Sequence, residues 1–258
     1  MGSVRTSHGT AYHRRVAHRT HPRPTAITLR PVALAYRLVA LGLIATGVIR
    51  LLDLFTADPS WKTLLYFTAL SNVAATVWML FLVVATVRDL TRHGARGTTE
   101  PLPRIQGAVM MALVVTMLVY TVVLVPSLTQ DPAYEAYTLT DSLVHVISPL
   151  LIVGEWLLLR TKGRMRWLDP LAWALFPLAY LAFAFIYGAL GGEFEPGVNH
   201  PYPFMDVGAL GVGGVALWIL ALVVVLEAFG FLLVAIDRGL GTLAAKRAQE
   251  VAPVRARV

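Results

Sequence analysis

Two residue types that together can do acyl-transfer chemistry stand inside apolar runs of this chain. Thr68 opens the turn "YFTALSN" within "LLYFTALSNVAATVWML", residues 64–80, and shares that turn with Ser71 and Asn72. His145 stands within "DSLVHVISPLLIVGEW", residues 141–156. A hydroxyl becomes a useful nucleophile when a neighbouring imidazole takes its proton as the oxygen attacks. Asp141 precedes His145 by four residues, on the same helix face, and is placed to orient the ring. Pro149 follows His145 by four and has no N–H, so it withholds a helical donor from the carbonyl of His145.

Other chemistries fit less well. His145 is the one histidine in any apolar run, so a paired-histidine haem site is excluded. No His-Glu-x-x-His occurs, and too few ligands share the level of His145 for zinc. Cysteine is absent, which excludes disulfides, iron–sulfur clusters, thiolate zinc sites and a thiol nucleophile. The reading therefore carries no metal and no cofactor.

The elements that must position these residues are membrane helices. The chain is 57% hydrophobic and 14% charged, against roughly a quarter charged in soluble domains. Six apolar runs are near the ~20 residues that cross a bilayer, at 32–54, 64–87, 105–125, 140–159, 169–190 and 208–236. The expected fold is an all-α, six-helix transmembrane bundle, flanked by basic tails at 1–31 and 237–258. The N-terminal tail, with His8, His13, His18 and His21, reads as disordered and weakly resembles a transit peptide.

Lys and Arg sort to one side. Arg5, Arg14, Arg15, Arg19, Arg23 and Arg30 precede span 1, and Arg88, Arg92, Arg96 and Arg104 lie in the second loop. Arg160, Lys162, Arg164 and Arg166 occupy the fourth, and five more basic residues follow span 6. The first loop has only Lys62, and the third and fifth have none. The positive-inside rule then predicts that both termini are cytoplasmic. The net charge of +7 is mostly topology, with a contribution from anionic headgroups, rather than a nucleic-acid footprint.

That topology assigns depth. At ~1.5 Å per residue, Thr68 lies ~6 Å below the outer edge, His145 ~7 Å, and Arg50 ~6 Å. Tyr120 falls at a similar depth, and Asn72 one turn deeper. Each has a plainer reading: threonines in membrane helices return their hydroxyl to the carbonyl four residues back, Asn and Ser join helices, Arg50 snorkels or pairs with Asp53, and Tyr120 belongs to an aromatic belt. A second polar layer holds Arg37, Glu155 and Glu227 in the inner halves of spans 1, 4 and 6; Glu155 lies ~15 Å along the axis from His145 and reads as a structural ion pair, first with Arg37, or as a proton path. The fifth loop, "GGEFEPGVNHPYPFMD", offers Tyr202, Pro203, Phe204 and Asp206 as a lip over the outer mouth, or merely connects spans. No paired Gly/Pro-broken spans and no internal repeat mark a transporter.

"YFTALSN", "HVISPLLIVGEW" and "HPYPFMD", in that order, resemble the bacterial six-span relatives of the androgen-induced membrane protein family. The resemblance covers roughly 32–236. Eukaryotic members of that family are threonine hydrolases of fatty-acid esters of hydroxy fatty acids, with a span-2 Thr nucleophile and a span-4 His partner. Those positions match Thr68 and His145, which implies an integral membrane lipid-ester hydrolase, in the bacterial plasma membrane, taking its substrate from the bilayer. Our own reading adds Asn72 as oxyanion donor, Asp141 as orienter of His145, Arg50 as carboxylate holder, and Tyr120, Tyr202 and Phe204 as substrate contacts. The rival class is a non-enzymatic transporter, channel or lipid-binding scaffold, with Thr68 and Asn72 as helix glue and His145 as a proton-sensitive switch.

Overall fold

The computed structural model describes residues 29–97, 101–130 and 134–255. The expected N-terminal tail lies, up to residue 28, outside them, as do its four histidines. Six helices are long and apolar enough to cross a membrane: α1 Arg30–Leu51, α2 Phe67–Arg96, α3 Pro103–Leu128, α4 Leu139–Leu159, α5 Asp169–Ala189 and α6, which begins at Val207. No strand occurs among the described residues; Glu195 and Val198 form one isolated bridge.

Local sequence sets where these helices begin. Proline stands in the first turn of α1, α3 and α5, where its missing N–H has no helical partner to lose. Thr138 caps α4: its Oγ1 accepts the N–H of Asp141 at 3.2 Å and donates to Asp141 Oδ2 at 2.8 Å. α2 starts later than the hydropathy predicts. Trp61–Leu65 form a tight 3₁₀ turn, Tyr66 is extended, and the α-helix begins only at Phe67. α6 differs at its other end, running on to Arg255 rather than giving way to a tail at 237. It bends at Gly211, whose φ of 66° a residue with a side chain adopts only with strain.

α1 to α4 pack around one another, and α6 lies against α3 and the start of α5. The basic loops gather at one end, here the basic end. There Arg30 pairs with Asp89, Arg104 with Asp169, and Asp237 accepts the N–H groups of Arg164 and Met165. Mid-bundle, both Nε and NH2 of Arg37 donate to Glu155 Oε1, with Nε at 3.1 Å, and NH1 donates to Thr86. Glu155 Oε2 faces Arg160 Nε at 3.9 Å. Glu227 is not part of this layer. α6 packs on the α3 and α5 side of the bundle, away from Arg37, and carries Glu227 into a separate crevice. Large apolar side chains such as Leu38, Val77, Leu150, Ile186 and Leu220 remain exposed around the bundle, as expected where the neighbour is lipid.

Candidate active site

The late start of α2 decides what Thr68 can do. Thr46, Thr76, Thr86, Thr116 and Thr121 each donate their hydroxyl to the carbonyl four residues back. Thr68 is the second residue of α2, so no helical turn precedes it to accept such a bond. Its Oγ1 instead lies 3.3 Å from His145 Nε2.

His145 is aimed by an irregularity in α4. Residues Leu143–Ile147 form a widened π turn in which the Ser148 N–H bonds to Leu143 O, five residues back. The Val144 carbonyl thereby loses its α-helical donor, Ser148. Its π-type donor would be residue 149, which is proline. Asn72 meets this orphan: its Nδ2 donates to Val144 O at 3.0 Å and to Thr68 O at 2.9 Å. Gly47 of α1 lets the turn approach, since a Cβ there would stand 3.1 Å from Val144 Cγ1. α3 carries the same device: Val119–Leu124 form a π turn ahead of Pro126, and the Val125 N–H reaches Tyr120 O. π turns of this kind recur at functional sites.

The two widened turns face each other. The rings of Tyr120 and His145 stack with centroids 3.8 Å apart and planes 8° from parallel. His145 Nδ1 lies 3.2 Å from the main-chain carbonyl of Asp141. A carbonyl only accepts, so Nδ1 carries the proton of the neutral ring. Nε2 is then a bare lone pair, and the Thr68 hydroxyl is its donor. That is the arrangement a general base needs before attack.

The fifth loop supplies a third partner. Tyr202, buried at the N-terminus of α2, accepts the Phe67 N–H at 3.1 Å, and Thr68, through both backbone and side chain, and Tyr180 lie in hydrogen-bonding reach of its oxygen. Tyr180 directs its own proton to Leu65 O at 3.0 Å. Burial pushes the Tyr202 phenol up to about 12, with its hydrogen-bond contacts to Tyr180, Phe67 and Thr68 offsetting part of the rise. At neutral pH it is an O–H donor, polarised by the helix-terminal N–H groups that it accepts. Phe204 stacks on Tyr202 with centroids 5.4 Å apart.

Thr68 lies between two spaces. A cavity of about 430 Å³ is lined by Thr68, Tyr66, His145, Glu195, His200 and Tyr202. A narrow crevice of about 60 Å³ between α3, α5 and α6 is lined by Thr68, Tyr202, Met111, Leu181, Leu226 and Glu227. Among the described residues, no three His, Asp or Glu side chains are grouped to hold a metal ion.

Several expected roles change. Asn72 is no oxyanion donor: its Nδ2 is taken by two carbonyls, and it clamps α2 to α4. Asp141 orients His145 through its main-chain carbonyl; its carboxylate Oδ1 is 3.8 Å away and Oδ2 is held by Thr138. Arg50 is exposed and donates to Thr140 Oγ1 at 3.1 Å, tying α1 to α4 rather than facing the cavity. Tyr120 backs the imidazole instead of lining the cavity, with its Oη accepting the Tyr137 N–H at 3.0 Å. Ser71 bonds Thr116 Oγ1 at 2.8 Å, one turn deeper. Tyr180 was missed altogether; as a lone hydroxyl in the apolar run "LFPLAYLAFAF" it carried a faint signal. No protein-family model, no curated protein and no solved structure matches the chain.

Proposed function

We propose that this integral membrane protein hydrolyses a lipid ester, with Thr68 as nucleophile and His145 as general base. One observation carries the reading. Thr68 is the spanning-helix threonine whose hydroxyl meets an imidazole, and the Asp141 carbonyl obliges that imidazole to present its lone pair. Thr68 Oγ attacks the ester carbonyl as His145 Nε2 takes its proton. Tyr202 O–H donates to the oxygen that becomes negative, replacing Asn72 in that role. As the tetrahedral intermediate collapses, the imidazolium returns the proton to the leaving alkoxide, and the acyl group stays on Thr68. Water, deprotonated by His145, then releases the free acid and restores the hydroxyl.

The two spaces beside Thr68 suit the two halves of such a substrate. The wider, more polar cavity takes the leaving alcohol, and the apolar crevice takes the acyl chain. The gathering of Lys and Arg at the basic end supports a bacterial plasma-membrane protein with both termini cytoplasmic and the site in the opposite leaflet. The resemblance to the androgen-induced membrane protein family supports fatty-acid esters of hydroxy fatty acids as the substrate class.

A fluorophosphonate probe applied to the purified protein tests the assignment. Wild type is expected to label, and Thr68→Ala and His145→Ala, each confirmed folded by circular dichroism, are expected not to. Equal labelling of Thr68→Ala, or no labelling of wild type, overturns the nucleophile.

A further inference from the structure

The crevice beyond Thr68 is lined in part by a group that the hydrolytic mechanism does not use. Glu227 lies on α6, and its Oε2 is sealed from the surface without a hydrogen-bond partner. No ion pair reaches it among the described residues. The other polar groups along the crevice are engaged: Thr116 with Ser71 and its own helix, Tyr180 with Leu65 O, Tyr202 with Phe67. The remaining walls are apolar, so the sealed, unmet Oε2 of this half-buried side chain costs free energy that a ligand can recover.

The position of Glu227 along the crevice follows from its neighbours. A Cβ on Gly230 would stand 3.4 Å from Met111 Cε, which sets that turn of α6 beside Met111 of α3. Glu227 is one turn nearer Thr68. Thr68 sits at the level of Tyr120, nine residues from Met111 on α3. The levels of Glu227 and Thr68 are therefore separated by roughly 10 Å along the helix axes, at 1.5 Å rise per residue. An acyl chain entering from Thr68 passes it part-way along its length.

We propose that Glu227 recognises a hydroxyl group carried mid-chain on the acyl part of the substrate, a second hydroxyl distinct from the esterified one of the leaving hydroxy fatty acid. The choice among ligands follows from donor and acceptor count. A hydroxyl both donates and accepts, so it complements a carboxyl whether that group is protonated or ionised. A ligand carbonyl satisfies only the protonated form, and an ammonium pairs only with the ionised one. An unsubstituted chain satisfies neither and leaves the carboxyl stranded. Selection by a buried polar group is accordingly a selection against the plain chain.

The inference rests on the proposed ester hydrolysis for its chemistry but is tested by binding. Free fatty acids of one length, either plain or with a mid-chain hydroxyl, are titrated against the protein in detergent while thermal unfolding is followed. The hydroxylated acid is expected to bind about tenfold more tightly to wild type and to Thr68→Ala. Glu227→Leu is expected to erase that preference while binding the plain acid at least as well; Glu227→Gln, which still donates and accepts, retains part of it. Equal affinity for both acids in wild type, or an unchanged preference in Glu227→Leu, overturns the proposal, as does tighter binding of a mid-chain amine. These readouts do not need turnover. A protein that shows the preference yet fails to label with fluorophosphonate keeps the Glu227 site and loses the hydrolase reading.

Discussion

His145 and Tyr120 lie ring on ring, 3.8 Å between centroids and 8° from parallel, each presented by a π turn in its own helix. The stack and the Asp141 carbonyl together leave the imidazole one orientation, with Nε2 toward Thr68. Offset aromatic pairs contribute about 0.5–1.5 kcal/mol beyond area burial. Tyr120→Leu is therefore expected to lower kcat about tenfold with little change in KM. Tyr120→Phe keeps the ring and is expected to stay within about threefold of wild type. Ester turnover of the two variants decides it, and equal loss in both would assign the effect to the phenol oxygen.

Asn72 holds the candidate site together by joining α2 to α4. Its amide meets a carbonyl that the Pro149 break leaves without a donor. A buried carbonyl left unmet costs about 1–3 kcal/mol, so Asn72→Leu is expected to lower the unfolding free energy in detergent by about that amount. Lost labelling with unchanged stability would instead restore the oxyanion role.

Arg37 and Glu155 make a buried pair far from Thr68. Removing one partner of such a pair costs about 3–5 kcal/mol, whereas replacing both with apolar residues is often neutral. Glu155→Gln is expected to lower thermal stability markedly, and Arg37→Met with Glu155→Leu to recover most of it. Both are expected to label normally while folded. A folded Glu155→Gln variant that does not label would argue for a proton path.

Tyr202 carries both a kinetic and a pH prediction. Tyr202→Phe removes the proposed oxyanion donor while keeping the ring, and is expected to lower kcat about 100-fold. The unfolded chain releases this phenol proton near pH 10, and the folded protein keeps it to about 12. Between those values the unfolded state binds fewer protons, so the stability due to Tyr202 is full below pH 10 and falls as pH rises toward 12. Thermal unfolding of wild type and Tyr202→Phe across that range is expected to converge; parallel curves would deny that the phenol is buried.

Much of the architecture is legible in the chain because each part of it is a local sum. Hydropathy over a window measures the cost of leaving one segment in water, and it finds all six spans, although the sixth helix runs on well past its expected end. Thr68 and His145 were legible as rare polar residues in apolar runs, at depths that a simple rise per residue brings together. The local rule also misled. Hydropathy starts the second span at Leu64, because Leu64 and Leu65 at the end of the 3₁₀ turn are as apolar as the helix that follows. Moving the helix start to Phe67 is what denies Thr68 its back-bond.

What the tertiary structure alone decides is which partner each polar group takes. Asn72, Arg50, Tyr120 and Glu227 share a level or a type with their expected partners, yet rotation about the helix axes sends them elsewhere. That rotation is set by packing between helices distant in sequence: Gly47 against Val144, α6 against α3, Tyr202 of the fifth loop on the first amides of α2. No window along the chain contains those pairs. Composition and charge determine that this protein is a six-helix membrane bundle; only the packing of that bundle sets a bare imidazole nitrogen against the hydroxyl of Thr68.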